Sequence, residues 1–153
     1  MAVRGMYLGL PKEFGVELLS MTALLEDQSL LEMDLHPGDE ILCLGFARAG
    51  RLTHGFPVLR SGRLASYPLT PMKTVGTWIY DATMYEGNSG GPVYFTFENR
   101  LIHGETHFGM YQGILGLIGG RGPSKSSEVT DQPLSLSIIV PAIFIRETID
   151  ELP

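Results

Sequence analysis

Short runs of strand-forming residues recur along this chain between turn signals, and their spacing constrains the fold more than any other feature of the sequence. Several runs are rich in β-branched and aromatic side chains, and clusters of Gly, Pro, Asn and Asp separate them. The pattern predicts six strands, over residues 40–46, 57–66, 75–81, 92–97, 112–119 and 134–140. Strands at such regular spacing are typical of a small antiparallel barrel or sandwich, and we expect an all-β barrel.

The segments outside these runs follow other patterns. After Pro141, residues 142–149 place apolar side chains at helical spacing, so we expect a closing C-terminal helix with the proline in its first turn. Residues 3–10 are a further candidate strand, and residues 16–33 are weakly helical in places. Residues 122–132 lack apolar periodicity, which favours a surface loop.

Composition narrows the classes of function. At 153 residues, with a net charge of -6, the chain is expected to form one domain that does not bind nucleic acid, because its charge would repel phosphate backbones. No apolar run approaches the ~20 residues of a bilayer span and no secretory signal is evident, so the chain reads as soluble, in an undetermined compartment. The single Cys43, in an apolar run, excludes an intrachain disulfide and favours a buried structural thiol.

One glycine-rich segment carries most of the chemical information: Gly87-Asn88-Ser89-Gly90-Gly91-Pro92, shortly after Asp81-Ala82. A nucleophile for acyl transfer needs a hydroxyl on a tight loop, with backbone N–H groups aimed at the developing oxyanion. Ser89 would supply the hydroxyl, and Gly87 and Ser89 the two N–H groups. The glycines permit positive φ angles and close approach of a substrate backbone. An ordinary glycine-rich hairpin loop is the alternative interpretation.

The same segment fits the Gly-x-Ser-x-Gly elbow of α/β-hydrolases, but the order of residues disagrees with that class. Those enzymes lead from the serine into a helix, and their acid and then their histidine follow it in the chain. Here a β-like run follows Ser89, and the last histidine, His107, precedes both remaining aspartates, Asp131 and Asp150. The α/β-hydrolase interpretation therefore fails.

The glycine-rich segment resembles the nucleophile loop of trypsin-like (chymotrypsin-fold) serine proteases, particularly the bacterial, high-temperature-requirement branch. Roughly residues 37–150 share the resemblance: 37–46 resemble the opening strand of the second barrel, and 113–119 the strand that pairs with substrate. The resemblance implies a single six-stranded antiparallel Greek-key barrel with a C-terminal helix over residues 37–153. Residues 1–36 would then be a remnant of the first barrel and the linker between barrels.

By this resemblance, the chain is a serine endopeptidase that acts on polypeptides through an acyl-enzyme on Ser89, without cofactor or metal. Gly87, with the Ser89 backbone, would form the oxyanion hole. Thr83 and Met84 would line the pocket for the residue before the cleaved bond; neither is acidic, so we expect a small or apolar residue there rather than a basic one. The substrate-pairing strand would contribute three residues: Leu117, Ile118 and Gly119.

The histidine and aspartate of the catalytic triad are missing from their expected places. Family members carry both before the serine, on the first barrel. The chain's histidines are His36, His54, His103 and His107, and we expect turn or loop positions for all of them and a base role for none. Residues 1–8 resemble the strand directly after the catalytic aspartate, which puts that acid one position before Met1. We therefore expect a truncated, nearly inactive chain that needs the missing N-terminal barrel or another chain.

Two other functions stay open. One is a non-catalytic module that binds an extended peptide by strand addition along the edge near residues 117–119. The other is a degenerate remnant of such a protease. A half-protease would also expose the face that meets its partner barrel, so we expect a large apolar surface and self-association.

Overall fold

Six antiparallel strands form a sheet that closes on itself in a ring. The structure is a computed structural model that describes residues 19–46, 56–121 and 136–152. The strands are β1 (Glu40–Gly45), β2 (Val58–Leu64), β3 (Trp78–Asp81), β4 (Pro92–Ile102), β5 (Glu105–Arg121) and β6 (Leu136–Pro141). Their order around the ring is β1-β2-β3-β6-β5-β4, and β4 pairs back onto β1. The predicted strands and the closed antiparallel sheet are thereby confirmed.

Alternating side chains of the strands fill the inside of the ring. Because successive side chains of a strand point to opposite faces, every second residue turns inward, and Ile41, Cys43, Trp78, Tyr80 and Ile139 are all fully buried there. The polar atoms of the two large aromatic side chains are satisfied. The Trp78 indole donates to the Leu69 carbonyl at 3.0 Å, and the Tyr80 hydroxyl donates to the Ile41 carbonyl at 3.2 Å.

The β4–β5 hairpin is much longer than the sequence pattern suggested. The fourth strand was expected to end at residue 97, and this prediction is wrong: β4 continues to Ile102, and the turn lies at His103 and Gly104, with φ angles of 49° and 88°. Residues 98–100 instead form a bulge around Asn99, at φ 58°. Asparagine tolerates this left-handed conformation, so the chain bends there without reversing.

One strand boundary also differs from the prediction. Residues expected to begin the third strand at position 75 belong instead to a single helical turn, α2 (Met72–Val75), which ends at Gly76 with φ 75°. A residue with positive φ terminates the helix, and β3 begins two residues later at Trp78.

Helical segments at both ends of the described chain pack against the ring. The predicted closing helix is confirmed as α3 (Ala142–Asp150). A short 3-10 helix (Met21–Ala23) and α1 (Asp27–Glu32) precede the sheet, and the Leu25 N–H donates to the Ile114 carbonyl of β5 at 3.0 Å. Arg146 of α3 donates to the carbonyl oxygens of Met21 and Leu24 and so ties this segment down.

Some of the sequence predictions fall outside the described residues: the strand at 3–10, the loop at 122–132 and the position of His54. Within the described ranges, no helix is long and apolar enough to cross a bilayer.

Candidate functional site

The glycine-rich segment forms a tight loop between β3 and β4, and hydrogen bonds fix it to two other strands. Next to the end of β1, the Phe46 N–H donates to the Gly87 carbonyl at 3.0 Å. On the other side, the Gly90 N–H donates to the Ile118 carbonyl at 2.8 Å, and the Ile118 N–H donates to the Gly91 carbonyl at 2.9 Å. The loop is therefore held from both flanks, on elements distant in sequence.

Glycine is required at particular points of this loop. Gly87 and Gly90 have φ angles of 94° and 79°, a conformation that residues with a Cβ rarely adopt. At Gly91 the limit is space, because a Cβ there would lie 2.0 Å from the carbonyl oxygen of Leu44. The loop thus packs directly against β1, as a sequence with bulkier residues could not.

Ser89 and its neighbour Asn88 face opposite ways. Ser89 is exposed, whereas Asn88 is 1% exposed and donates through Nδ2 to the Met84 sulfur at 3.0 Å. The Asn88 Oδ1 is buried without a hydrogen-bond partner in the described part of the chain. It lies against Gly45, where a Cβ would come within 2.7 Å of it. Burial of Asn88 anchors the loop and leaves the Ser89 hydroxyl at the surface.

Two backbone N–H groups of the loop, those of Gly87 and Ser89, have no hydrogen-bond partner in the described part of the chain. Other amides of the loop are engaged: the Asn88 N–H donates to the Tyr85 carbonyl at 3.2 Å, and the Gly91 N–H to the Asn88 carbonyl at 3.0 Å. The two amides assigned to the oxyanion hole are therefore available to an outside acceptor.

Thr83 and Met84, expected around the substrate pocket, differ in exposure. Thr83 is exposed, and Met84 is 5% exposed beneath the loop. Arg60 of β2 contacts this segment: its Nη1 donates to the Thr83 carbonyl at 3.4 Å. The Arg60 guanidinium also lies 4.7 Å from the centre of the Tyr85 ring.

Arg60 is not among the site residues predicted from the sequence. A signal was nevertheless present, because Arg60 occupies an alternate position of β2 together with Val58, Gly62 and the buried Leu64, and so belongs to the inward-facing set. A charged residue in such a set is unusual enough to mark a site.

Leu117, Ile118 and Gly119 lie at the point where β5 leaves β4. Leu117 pairs with Pro92 of β4 and with Val140 of β6, and both backbone groups of Ile118 bond to the glycine-rich loop. Beyond them, residues 119–121 have no pairing on the β4 side among the described residues and are hydrogen-bonded only towards β6. The available edge therefore begins at Gly119, two residues later than the start of the predicted stretch.

The described histidines lie at the opposite end of the sheet from Ser89. His36 precedes β1, and Ser89 lies beyond its far end, so the six residues of β1 separate them by roughly 20 Å. His103 is in the distal turn of the β4–β5 hairpin, about 30 Å along β4 from the loop. His107, expected in a loop, belongs to β5 and pairs with Arg100 near that distal turn.

Titratable groups inside the ring have shifted pKa values. Burial raises the pKa of the Cys43 thiol from 9.0 to about 11, partly offset by the positive charge of Arg60. The pKa of the Tyr80 hydroxyl is also raised, chiefly by burial. Across residues 19–46, 56–121 and 136–152, no cluster of three or more His, Cys, Asp or Glu side chains is arranged to hold a metal ion.

Comparisons with known proteins identify no relative. No protein-family model matches this chain, and no curated protein matches it significantly.

Proposed function

We propose that this chain is the second barrel of a chymotrypsin-like serine endopeptidase, with Ser89 as the nucleophile. The observation that carries the proposal is that the loop exposes Ser89 and that two of its N–H groups, of Gly87 and Ser89, have no acceptor in the described part of the chain. Two amides on one tight loop are the donors that a tetrahedral oxyanion requires.

The sheet topology supports the same class. In the ring, β3 lies beside β6 and β4 lies beside β1, so the connection from β3 to β4 joins strands that are not neighbours. This arrangement fits the proposed Greek-key barrel. The loop between β3 and β4, the bonds from the loop to Ile118 and the helix after β6 all follow the order expected from the resemblance.

The proposed mechanism needs a base that the described residues do not place near Ser89. An unassisted serine hydroxyl is a weak nucleophile, and the oxyanion hole and substrate binding alone accelerate such reactions only ~10³–10⁴-fold over water. We propose that a histidine and its orienting aspartate come from a first barrel, encoded before Met1 or carried by another chain. The histidine would take the Ser89 proton as the hydroxyl attacks the peptide carbonyl, and the aspartate would orient the imidazole and stabilise its positive charge.

A fluorophosphonate probe tests this proposal. We expect the chain alone to label slowly, and a chain extended by the in-frame upstream sequence to label at least 10³-fold faster, because the base activates the hydroxyl. Ser89→Ala should abolish labelling in both, and Thr96→Ala, which removes an exposed hydroxyl on β4, should change neither. Efficient labelling of the chain alone would contradict the need for an external base.

A second candidate function has its own observation. Residues 119–121 present backbone groups without a strand partner on the β4 side in the described chain, so an extended peptide fits there by strand addition. Peptide binding that survives Ser89→Ala, with no labelling of the extended chain, would favour a non-catalytic binding module over an endopeptidase.

A further inference from the structure

The guanidinium of Arg60, beside the candidate site, is a charged group without a matching anion among the residues that the structure describes. Its Nη1 donates to the Thr83 carbonyl at 3.4 Å, near the long limit for a hydrogen bond, and its flat face lies against Tyr85. The Nε is buried and has no hydrogen-bond partner among the described residues. A guanidinium has five N–H donors, so most of them remain unused.

The contrast with other arginines shows what Arg60 lacks. Arg100 is more deeply buried than Arg60, but two of its nitrogens donate to the carboxylate of Asp39, at 3.1 and 2.6 Å. Arg146 pairs with Glu26 at 3.1 Å. Arg63, on the same strand as Arg60, has no carboxylate partner in the described chain either, but it is exposed to solvent and donates to the Gly38 carbonyl. Arg60 alone among these four combines partial burial with an unmatched charge.

A partly buried cation without an anion is unfavourable, because desolvation weakens its interaction with water and only a counter-charge replaces that interaction fully. The unmatched charge lies at Thr83, the residue that the proposed function puts at the floor of the substrate pocket. A carboxylate entering there would meet free donors in the planar geometry that favours two parallel hydrogen bonds.

We propose that Arg60 makes the pocket selective for an acidic side chain, glutamate or aspartate, at the residue before the cleaved bond. This inference rests on the proposed function, because the pocket is defined by the loop of Ser89. It replaces the expectation of a small or apolar residue, which was based on Thr83 and Met84 alone. The carboxylate supplies the counter-charge that the described residues do not provide.

Peptide binding to the full 153-residue chain carrying Ser89→Ala tests the proposal without requiring activity. The probes are fluorescein-labelled peptides of Ala, Gly and Ser that differ only at one central residue: Glu, Gln, Ala or Lys. In fluorescence anisotropy at low salt, the Glu peptide should bind about tenfold more tightly than the isosteric Gln peptide. Raising the salt concentration should reduce this ratio, since screening weakens an accessible ion pair.

Two variants locate the selectivity. Arg60→Gln should bring the Glu and Gln peptides to equal affinity, whereas Arg63→Gln, which removes the exposed arginine of the same strand, should leave the ratio unchanged. Circular dichroism establishes that each variant is folded, and if Arg60→Gln is not, Arg60→Lys should retain a preference for Glu over Gln.

The outcomes separate this inference from the proposed function. If peptides bind but Glu and Gln bind equally, or if the preference persists in Arg60→Gln, the role of Arg60 is overturned and the endopeptidase proposal stands. If no peptide binds and the extended chain is not labelled by fluorophosphonate, the proposed function fails, and the inference fails with it.

Discussion

Cys43 connects the interior of the ring to the pH dependence of stability. Its thiol is fully buried, as the apolar run around it predicts, and its pKa is raised by burial from 9.0 to about 11. Between these pH values the unfolded chain has lost the proton and the folded chain still holds it. The stabilisation is therefore complete below pH 9 and is lost as the pH rises towards 11.

We expect the free energy of unfolding to fall by up to about 1.4 kcal/mol per pH unit over this range. Cys43→Ala should lower the stability at every pH but flatten this slope, because alanine does not titrate. Urea denaturation at a series of pH values measures both effects. The slope is most diagnostic below pH 10, since the raised pKa of Tyr80 adds a change of the same sign above it. An unchanged slope in the variant would contradict the assignment.

Some of the important residues can be predicted from the sequence, and others cannot. Ser89, Gly87 and the buried thiol of Cys43 are recognisable because their signals are local: a glycine-rich run and an apolar run. The positions of Arg60 and Arg100 cannot be recognised in this way, because each depends on partners far away in sequence. Arg100 meets Asp39 across 61 positions, and Arg60 meets Thr83 across 23. Such pairs exist only once the strands are in register.

The β4–β5 hairpin depends on one of these long-range contacts. Arg100 follows the bulge in β4 and bonds to Asp39, to the Met33 carbonyl and to the Asp34 carbonyl, which fastens the turn before β1 to the distal half of β4. Both members of the ion pair are buried, at 8% and 9% exposure. The ion pair therefore explains why β4 continues beyond residue 97, through residues of types common in turns.

Removing one partner of this pair should be costly. Asp39→Ala leaves the Arg100 guanidinium buried without its anion, and we expect a loss of about 3–5 kcal/mol in the free energy of unfolding, measured with urea. Replacing both residues, by Asp39→Leu and Arg100→Met, should recover much of the loss. Glu147→Gln, which breaks an exposed ion pair with Lys73, is the control and should change stability far less. Equal losses in Asp39→Ala and the control would refute this role.

The presence of each strand could be predicted from the sequence, but its length could not. All six strands and the closing helix follow from local patterns of apolar and turn residues. The length of the hairpin and the start of β3 do not follow from these patterns, because bulges and single helical turns use the same residue types as true turns.

The whole molecule presents a cluster of exposed apolar side chains near the Ser89 loop. Phe46, Phe56 and Leu59 are 64%, 72% and 54% exposed, at the end of β1 and around the start of β2. Phe46 also bonds through its backbone to Gly87 of the loop. Exposed apolar residues clustered in this way commonly mark an interaction surface.

We expect this cluster to cause self-association of the isolated chain. Light scattering at increasing concentration should show a rising average mass, and the double variant Phe46→Ser, Phe56→Ser should suppress the rise. Phe108→Ser is the matched control, since Phe108 is 83% exposed on the distant part of the hairpin. A monomer at all concentrations, or suppression by the control variant, would count against an interface beside Ser89.

The closure of the ring also affects how the chain folds during its synthesis. The third strand pairs with β2 on one side, but its other neighbour is the sixth strand, Leu136–Pro141, so that side of β3 stays unpaired until this late segment has left the ribosome. Local hairpins form during synthesis, but the pairing that completes the ring has a long loop to close and is slow. Chaperones that shield exposed strands during translation should therefore matter more for the yield of this protein than for one built of consecutive hairpins.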